Sequence, residues 1–573
     1  MSLFGSLQLA TNALRADQIA IQVVGQNIAN ANTDGYLREE VCLTPGPSQK
    51  YGGVLLGTGV RVDAVVQKID YFLEERLRGS VSERASSETR EEVYIELEGL
   101  IGELTDTDLS TSLTDFFSSI AEILNEPESA SVRQTAVLNG LSLTSGINRL
   151  ADLVGDLRSD LNSRVESIAD RINELTEEIR LLNVRITAAE GGDVSNSDAV
   201  GLRDQRLSAV EELAELIDVR VREQPSGGLA IYAGDSYLVF EGSRREVTVA
   251  HASDRGMAVA FVHLVETDSA LDASGGELHG LIVSRDDVLG GFLDRLDYFA
   301  GALAFEFNKV FSSGQGLNGY RELTSVSFVD DADLALDEAG LDFTPVNGSF
   351  QIQVYNTRTD ISETTDVFID LNHLGDDTTL NDLAESLDAI GGISATITST
   401  GELTITSDSS EVEFYFANDT SGVLAALGLN TFFTGSTATG LDVNSLIQDD
   451  ASKFAARRTP DQPDDDRIDD SETANARILA NLLDQEIVSP YGKSLSLVYD
   501  AMVAEVTQGS ALARAGAEGD RVFEETLRGQ QLSITGVSLD EEAVKLIVYQ
   551  NAFQASARYI ATVQELLEVM VSL

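Results

Sequence analysis

Tryptophan is absent from this 573-residue chain, and cysteine occurs once, methionine four times and proline eight times. The single cysteine, Cys42, excludes an intrachain disulfide and any cysteine-based zinc centre. The four histidines, His251, His263, His279 and His373, are scattered and form no His-Glu-x-x-His pattern. No run of about 18 apolar residues is present, so no membrane-spanning helix is expected. The first residues have neither the basic start nor the apolar centre of a cleaved secretory signal. Basic residues are scarce: 39 Lys and Arg stand against 95 Asp and Glu, for a net charge of −56. With no basic stripe, a nucleic-acid partner is excluded, and so much acid is repelled by an anionic membrane surface. Two readings of the acidity stand side by side: solubility in a saline medium that screens self-repulsion, or simple solubility.

Chemistry is equally scarce. Gly492-Lys493-Ser494 has the end of a phosphate loop, but Ile487 stands where its first glycine is needed. Asp331 and Asp333 are spaced like the start of a calcium loop, but Leu336 replaces the required glycine. Asp464, Asp465 and Asp466 read as a solvated acidic loop. Among 95 carboxylates no acid/base pair stands out. The expectation is a non-enzyme with no catalytic, cofactor-binding or metal-ligating residues.

What is there begins at the two ends. Leu3, Leu7, Ala10, Leu14, Asp17, Ile21, Val24 and Ile28 follow alternating steps of four and three, and only Asp17 is polar. From Leu539, the residues Ala543, Leu546, Gln550, Phe553, Ala557, Ile560, Gln564, Leu567 and Val571 repeat the pattern. These are heptad-type seams. Ser538 followed by Glu541 offers a capping box to the second. No neighbouring segment evidently covers either seam, so the ends are expected to pair with each other or with other subunits. The assembly seam is assigned to Leu3, Leu7, Leu14, Ile21, Ile28, Leu546, Phe553, Ile560 and Leu567.

A third periodic segment runs from about Ser145 to Ala189, roughly 60 Å of helix, with a stutter at Leu157–Leu161–Val165. Further helices are expected at Tyr71–Gly102, Leu113–Leu124, Ala199–Ile217, Asp286–Phe311, Thr473–Leu483 and Val498–Arg528. The segments 219–283 and 320–445 alternate in the manner of strands: Gly227-Gly228 marks one hairpin, Thr400-Gly401 another, and "FQIQVY" and "EVEFYF" are single strands. The expected fold is α+β and multidomain, elongated, with discontinuous nested domains. Residues 1–38 and 536–573 form coiled-coil terminal helices. Residues 39–218, 284–319 and 456–535 form a long-helix bundle. Residues 219–283 and 320–455 are inserted β-rich modules, the second outermost.

Between the N-terminal seam and the first strand lies "NIANANTDGYLREE". Asn27, Ile28, Ala29, Asn30, Asn32, Thr33, Gly35 and Tyr36 resemble the signature of the bacterial flagellar axial family of rod, hook and hook-associated proteins. "GTGVRVDAVVQKIDYFLEERLR" and the closing "SLDEEAVKLIVYQNAFQASARYIATVQELLEVMV" are similar to the family's flanking segments. "VGLRDQRLSAVEELAEL", "GELHGLIVSRDDVLGGFLDRLDYFAGALAFEFNKV" and "LAALGLNTFFTGS" resemble the hook-associated branch that forms the hook–filament junction. Phe311 departs from that pattern, standing where a histidine is expected. Residues 320–410 carry no family motif.

The resemblance implies a structural protein that assembles with itself into a ring through its terminal helices. It implies as partners the hook protein and the next hook-associated protein, and a dedicated export chaperone on the C-terminal helix. It further implies flagellar type III export and an extracellular place in the flagellum. The family turn motif comprises Asn27, Asn30, Asn32, Thr33, Gly35 and Tyr36. Gly35 is expected at positive φ, ending the helix and turning the chain. An acidic coiled-coil surface-layer or adhesin-type extracellular protein is the alternative, and an acidic extracellular enzyme a more distant one.

Overall fold

The computed structural model describes residues 3–572 apart from 34, 52–53, 103–107, 192–198, 459–471 and 487–492. The Asp464–Asp466 loop, Gly492 and most of the "GGDVSNSD" break therefore lie outside the described residues.

The fold is mixed α+β with long terminal helices. The chain opens with α1 (Leu3–Ala29), then strands β1 (Glu39–Pro45), β2 (Ser48–Tyr51), β3 (Val54–Gly57) and β4 (Val60–Gln67). Helices α2 (Tyr71–Gly102), α3 (Leu109–Ile123), α4 (Ala130–Glu190) and α5 (Val200–Leu216) follow. Next come β5 (Arg220–Glu223), β6 (Leu229–Ala233), β7 (Ser236–Phe240), β8 (Ser243–Arg244), β9 (Val247–Asp254), β10 (Met257–Leu264) and β11 (Ser269–Ala270). Helix α6 (Gly276–Val283) passes through a π turn, Ser284–Leu289, into α7 (Gly290–Phe311). Then come β12 (Glu322–Thr324), β13 (Gly348–Asn356), β14 (Ile361–Ile369), α8 (Leu380–Asp388), β15 (Ile393–Ile397), β16 (Leu403–Ser407) and β17 (Val412–Ala417). Helix α9 (Val423–Leu427), β18 (Phe433–Thr434), β19 (Asp442–Val443), α10 (Ser445–Asp449) and α11 (Ala474–Asn481) lead to α12 (Leu495–Thr535) and α13 (Leu539–Ser572).

Two compact units result. Unit 1 holds Met1–Val93, Ser159–Asp286 and Ala511–Leu573; unit 2 holds Tyr94–Arg158 and Asp287–Ser510.

In unit 1, α1 packs along α13 and across the β1–β4 pair. That pair is antiparallel, Glu39 opposite Gln67, with a register shift between Cys42 and Leu43. The β-rich part consists of a four-stranded sheet, β5-β6-β7-β8, and a three-stranded one, β11-β10-β9. Helix α4 presents Val165, Ile168, Ile172, Leu175, Ile179, Leu182 and Ile186 as a buried stripe. Three asparagines on the same helix, spaced by eleven and ten residues, fasten it to backbone of the β-rich part. Asn162 Oδ1 accepts from Ala260 N at 2.6 Å. Asn173 donates to Val247 O at 2.8 Å and accepts from Val247 N at 3.0 Å. Asn183 donates to Leu229 O and Glu241 O at 3.0 and 2.9 Å and accepts from Leu229 N at 3.0 Å. A helix side chain that pairs both an N–H and a C=O leaves no buried backbone group unmatched where helix meets strand.

Unit 2 is built around aromatic rings. Phe116 of α3, Phe307 and Phe311 of α7, Phe432, Phe433 and Phe454 stack at centroid distances of 4.8–6.0 Å along the cluster. Phe311, where a histidine was expected, is fully buried in this cluster. Gly140 of α4 lies against it: a Cβ there would meet the Phe432 ring at 2.7 Å. Beside the cluster, sheets β14-β13-β17 and β12-β16-β15 share a core with α8. Helix α8 starts at a capping box in which Thr379 and Asp382 satisfy each other's backbone.

Several boundaries differ from the sequence reading. α4 begins fifteen residues before Ser145, because Ala136, Val137 and Leu143 are buried on it. At its stutter the buried line passes through Arg158, and Leu157 is only half-buried. The helix expected from Asp286 begins in a π turn, Ser284–Leu289, that carries the fully buried Arg285, and the end of the segment read as β-rich, Gly276–Val283, is helix α6.

Candidate functional site

The turn that ends α1 is made by its own side chains. Asn30 Nδ2 donates to Gln26 O at 3.1 Å, and Thr33 Oγ1 donates to Asn30 Oδ1 at 3.3 Å. Thr33 N and Tyr36 N then close two further turns onto Asn30 O and Thr33 O. Gly35 sits at φ +71°, which an L side chain adopts only under strain. Asn32 and Thr33 are exposed. A groove of about 960 Å³ opens beside the turn, with Tyr36 and Arg38 on one wall and Glu211 and Glu215 of α5 on another.

Asn27, two residues before the end of α1, is buried and fully used. Its amide nitrogen donates to Glu39 O at 2.9 Å and to Glu542 Oε2 at 3.1 Å. Its oxygen accepts from Tyr36 Oη and from Glu39 N, both at 2.9 Å. Glu542, at the start of α13, has a fully buried side chain. Arg38 donates to it through Nε at 3.0 Å and Nη2 at 2.7 Å, and to Glu541 at 2.8 Å. Burial alone would push the Glu542 carboxyl up; the hydrogen bonds from Asn27 and Arg38 and the charge of Lys545 outweigh it and hold it below the usual carboxylate range. For Arg38 too, burial is outweighed by Glu542 and Glu541, and its pKa rises. Ser538 Oγ accepts from Glu541 N at 3.4 Å, but the Glu541 carboxylate turns to Arg38 instead of closing the capping box. One buried polar knot thus joins the end of α1, the signature turn, β1 and the start of α13.

Along the helix pair, Leu3, Leu7, Leu14, Ile21 and Ile28 of α1 are half-buried, as are Leu546, Phe553, Ile560 and Leu567 of α13. The fully buried line on α1 runs beside them through Ser6, Ala10, Ala16, Ala20, Val23, Val24 and Asn27. Helix α1 is covered both by α13 and by the β1–β4 pair, and the larger seam residues lie at the edge of its buried line. Asp17 is satisfied by Ser556 Oγ at 3.3 Å, and burial raises its pKa, partly offset by that bond.

Helix α13 has a second apolar face that the heptad reading passed over. Val544, Ile547, Val548, Leu566, Val569 and Met570 are each more than half exposed. They recur at helical spacing on the side away from α1. Acid on the pair is confined to Asp17 of α1 and to the two ends of α13, at Asp540, Glu541, Glu542, Glu565 and Glu568. Leu3–Thr33 holds one Arg and one Asp, and Ala543–Gln564 holds Lys545 and Arg558 with no acid, in a chain of net charge −56. Among the described residues no group of His, Cys, Asp and Glu could hold a metal ion, and no helix is long and apolar enough to cross a membrane.

Residues 94–324 match the family model described as the flagellar hook-associated protein FlgK helical domain. Residues 528–573 match the flagellar basal body rod FlgEFG protein C-terminal model, and 7–36 the flagella basal body rod protein model. Flagellar hook-associated protein 1 of Escherichia coli K12 is 24% identical over 98% of this chain and 98% of its own length. Its namesake in Bacillus subtilis is 27% identical over 56% of this chain and 69% of its own length. The solved structure of the flagellar hook junction protein FlgK from Burkholderia pseudomallei has the same fold. It superposes with a TM-score of 0.52 over 80% of this chain and 100% of that one, at 14% identity. With rod-family matches at both ends, the hook-associated helical domain between them and a hook-associated protein aligned over nearly its full length, the chain belongs to the flagellar hook-associated protein family.

Proposed function

We propose that the chain is a structural subunit of the bacterial flagellum that joins hook to filament and polymerises through α1 and α13. The observation that carries this reading is a helix pair held together by the Asn27–Arg38–Glu542 knot while the far face of α13 stays apolar and uncovered. A monomer has no use for such a face; a neighbouring subunit does. Successive subunits meet through unlike surfaces, since head-to-tail contacts generate rings and helical arrays. The hook protein on one side and the next hook-associated protein on the other are the axial neighbours. Before export a chaperone covers the open face of α13, and the assembled protein stands outside the cell. The half-buried seam residues, Phe553 and Ile560 among them, hold the intrachain pair, and the open face makes the contacts between subunits. The rod-family matches at both chain ends favour this reading over a surface-layer or adhesin role.

The test is Ile547→Asp with Val548→Asp in a motile strain. Intact hooks without filaments, with the variant exported and its circular dichroism unchanged, is the expected result. Wild-type filaments would refute an interface on that face.

A further inference from the structure

A cavity of about 360 Å³ in unit 1 takes no part in the helix pair. Its floor is apolar, formed by Ile69, Leu207, Val210, Val221 and Leu229. Three arginines border it, and two have partners within the chain. Arg203 donates to Glu190 at 2.7 and 2.9 Å and to Glu223 at 2.7 Å. Arg206 donates to Asn183 Oδ1 at 2.9 Å and to Gly227 O at 2.8 Å. Arg78 differs. Its Nε is buried without any hydrogen-bond acceptor, and among the described residues no carboxylate stands within ion-pair distance of it. Burial lowers its pKa, and Glu74, Glu75 and Glu211 reach it only as longer-range charges. A buried charged donor left unmatched is costly, so an acceptor entering the cavity gains what the chain itself does not supply.

We propose that this cavity binds a small amphipathic carboxylate, whose carboxyl group Arg78 takes and whose hydrocarbon part lies on the apolar floor. The size is in the ordinary range for small-ligand pockets, about 300–1,000 Å³. The carboxylates in the wall do not bar an anion. Glu223 is neutralised by Arg203, and Glu74 accepts from Gln531 at 2.6 Å while burial raises its pKa toward the neutral form. Glu75 is exposed to solvent. Tyr71 stands exposed at the lip.

The chain's lack of tryptophan supplies the assay. Tyr71→Trp makes a single-tryptophan full-length chain, titrated with decanoate below its micelle concentration and with decanol as the neutral counterpart. Calorimetry of the unsubstituted chain with decanoate runs alongside, in case the new indole disturbs the lip. A saturable decanoate response is expected. It weakens at least about tenfold in Arg78→Met and for decanol, because the guanidinium–carboxylate hydrogen bonds are lost. Arg78→Lys, which keeps the charge, retains part of the affinity, and Val221→Phe, which fills the floor, removes it. Circular dichroism checks that each variant folds. The proposal is overturned by no saturable response in either measurement, by decanol binding as tightly as decanoate, or by an affinity that ignores Arg78→Met.

Discussion

Replacing Glu542 by Ala tests whether the buried knot, and not the apolar seam alone, holds the chain ends together. The substitution leaves Arg38, whose side chain is 10% exposed, with Glu541 as its remaining acidic partner, and that carboxylate is 62% exposed. It also removes one of the two acceptors of the buried Asn27 amide. Removing one partner of a buried pair costs about 3–5 kcal/mol. The surviving Glu541 contact and the partial exposure of Arg38 place this case at the lower end, about 3 kcal/mol. At about 1.4 kcal/mol per decade, amides of α1 and α13 that exchange through local opening should exchange roughly 100-fold faster. Glu542→Gln keeps an oxygen for Asn27 and loses only the charge, so about tenfold is expected. Hydrogen exchange followed by mass spectrometry reads both, with α8 in unit 2 as the internal control. The pH dependence has a fixed sign. A carboxyl held below its ordinary value of 4.5 stabilises the fold above that value and loses its contribution as pH falls through the folded-state pKa. Protection of α1 and α13 should therefore weaken below about pH 4.5 in the wild-type chain and change less in Glu542→Gln. Exchange of α13 within about threefold of wild type in Glu542→Ala would refute the reasoning and leave the seam as the sole link.

Gly35→Val should destabilise the turn by about 1–2 kcal/mol through backbone strain alone, since a Cβ there meets nothing within 4 Å; Gly35→Asn should be milder, and equal exchange rates at Tyr36–Glu39 in the two variants would contradict the role of positive φ. Asp204 is half-buried with its pKa pushed up to about 6, chiefly by burial, so its ionisation opposes folding increasingly as pH rises from 3.8 through 6 and fully above that. Asp204→Asn should accordingly stabilise unit 1 at pH 7 by about 1 kcal/mol after discounting for solvent, and not at pH 4, as read by chemical denaturation. Self-association measured by light scattering should rise between about 10 mM and 0.1 M salt, as the Debye length falls from roughly 30 to 10 Å, and then level off; steady weakening with salt would mean that ion pairs hold the subunits together.

How much of this was legible depended on the range of the interaction. Period-based features are local, so the terminal helices, the hairpin at Gly227-Gly228 and the strands "FQIQVY" and "EVEFYF" stand where alternation and heptads put them. The seam was legible as a stripe. The chosen leucines and isoleucines are half-buried beside a fully buried line that includes Ala10, Ala16 and Ala20, since α1 is covered by the β1–β4 pair as well as by α13 and periodicity alone cannot foresee the second cover. The signature turn was legible in Gly35. The purpose of Asn27 was not, since its partner Glu542 lies 515 positions away and Arg38 looks like any surface arginine. Asn162, Asn173 and Asn183 went unread for a related reason: on a helix, asparagine suggests a solvent face, and only the arrival of strand backbone makes it a fastener. Gly140, on which the sequence reading was silent, is the gap that admits the Phe432 ring.

The distribution of charge joins the acidity to assembly. A chain of net charge −56 would resist polymerising if its contact surfaces shared that composition, because each buried carboxylate without a partner costs several kcal/mol. The terminal helices limit this over their central parts: Asp17, bonded to Ser556, is the one acid in Leu3–Thr33, Ala543–Gln564 holds none, and the five acids of α13 lie at its two ends. Glu542 precedes that acid-free stretch, and Arg38, Asn27 and Lys545 surround it completely. Most of the acid is thus carried outside the terminal helices, where it acts at a distance. Repulsion between those distant charges keeps unassembled subunits apart in dilute solution, while the acid-free apolar stretches of the helices supply short-range attraction once salt has shortened the reach of that repulsion. High acidity and self-assembly are therefore compatible in one chain because they reside on different residues.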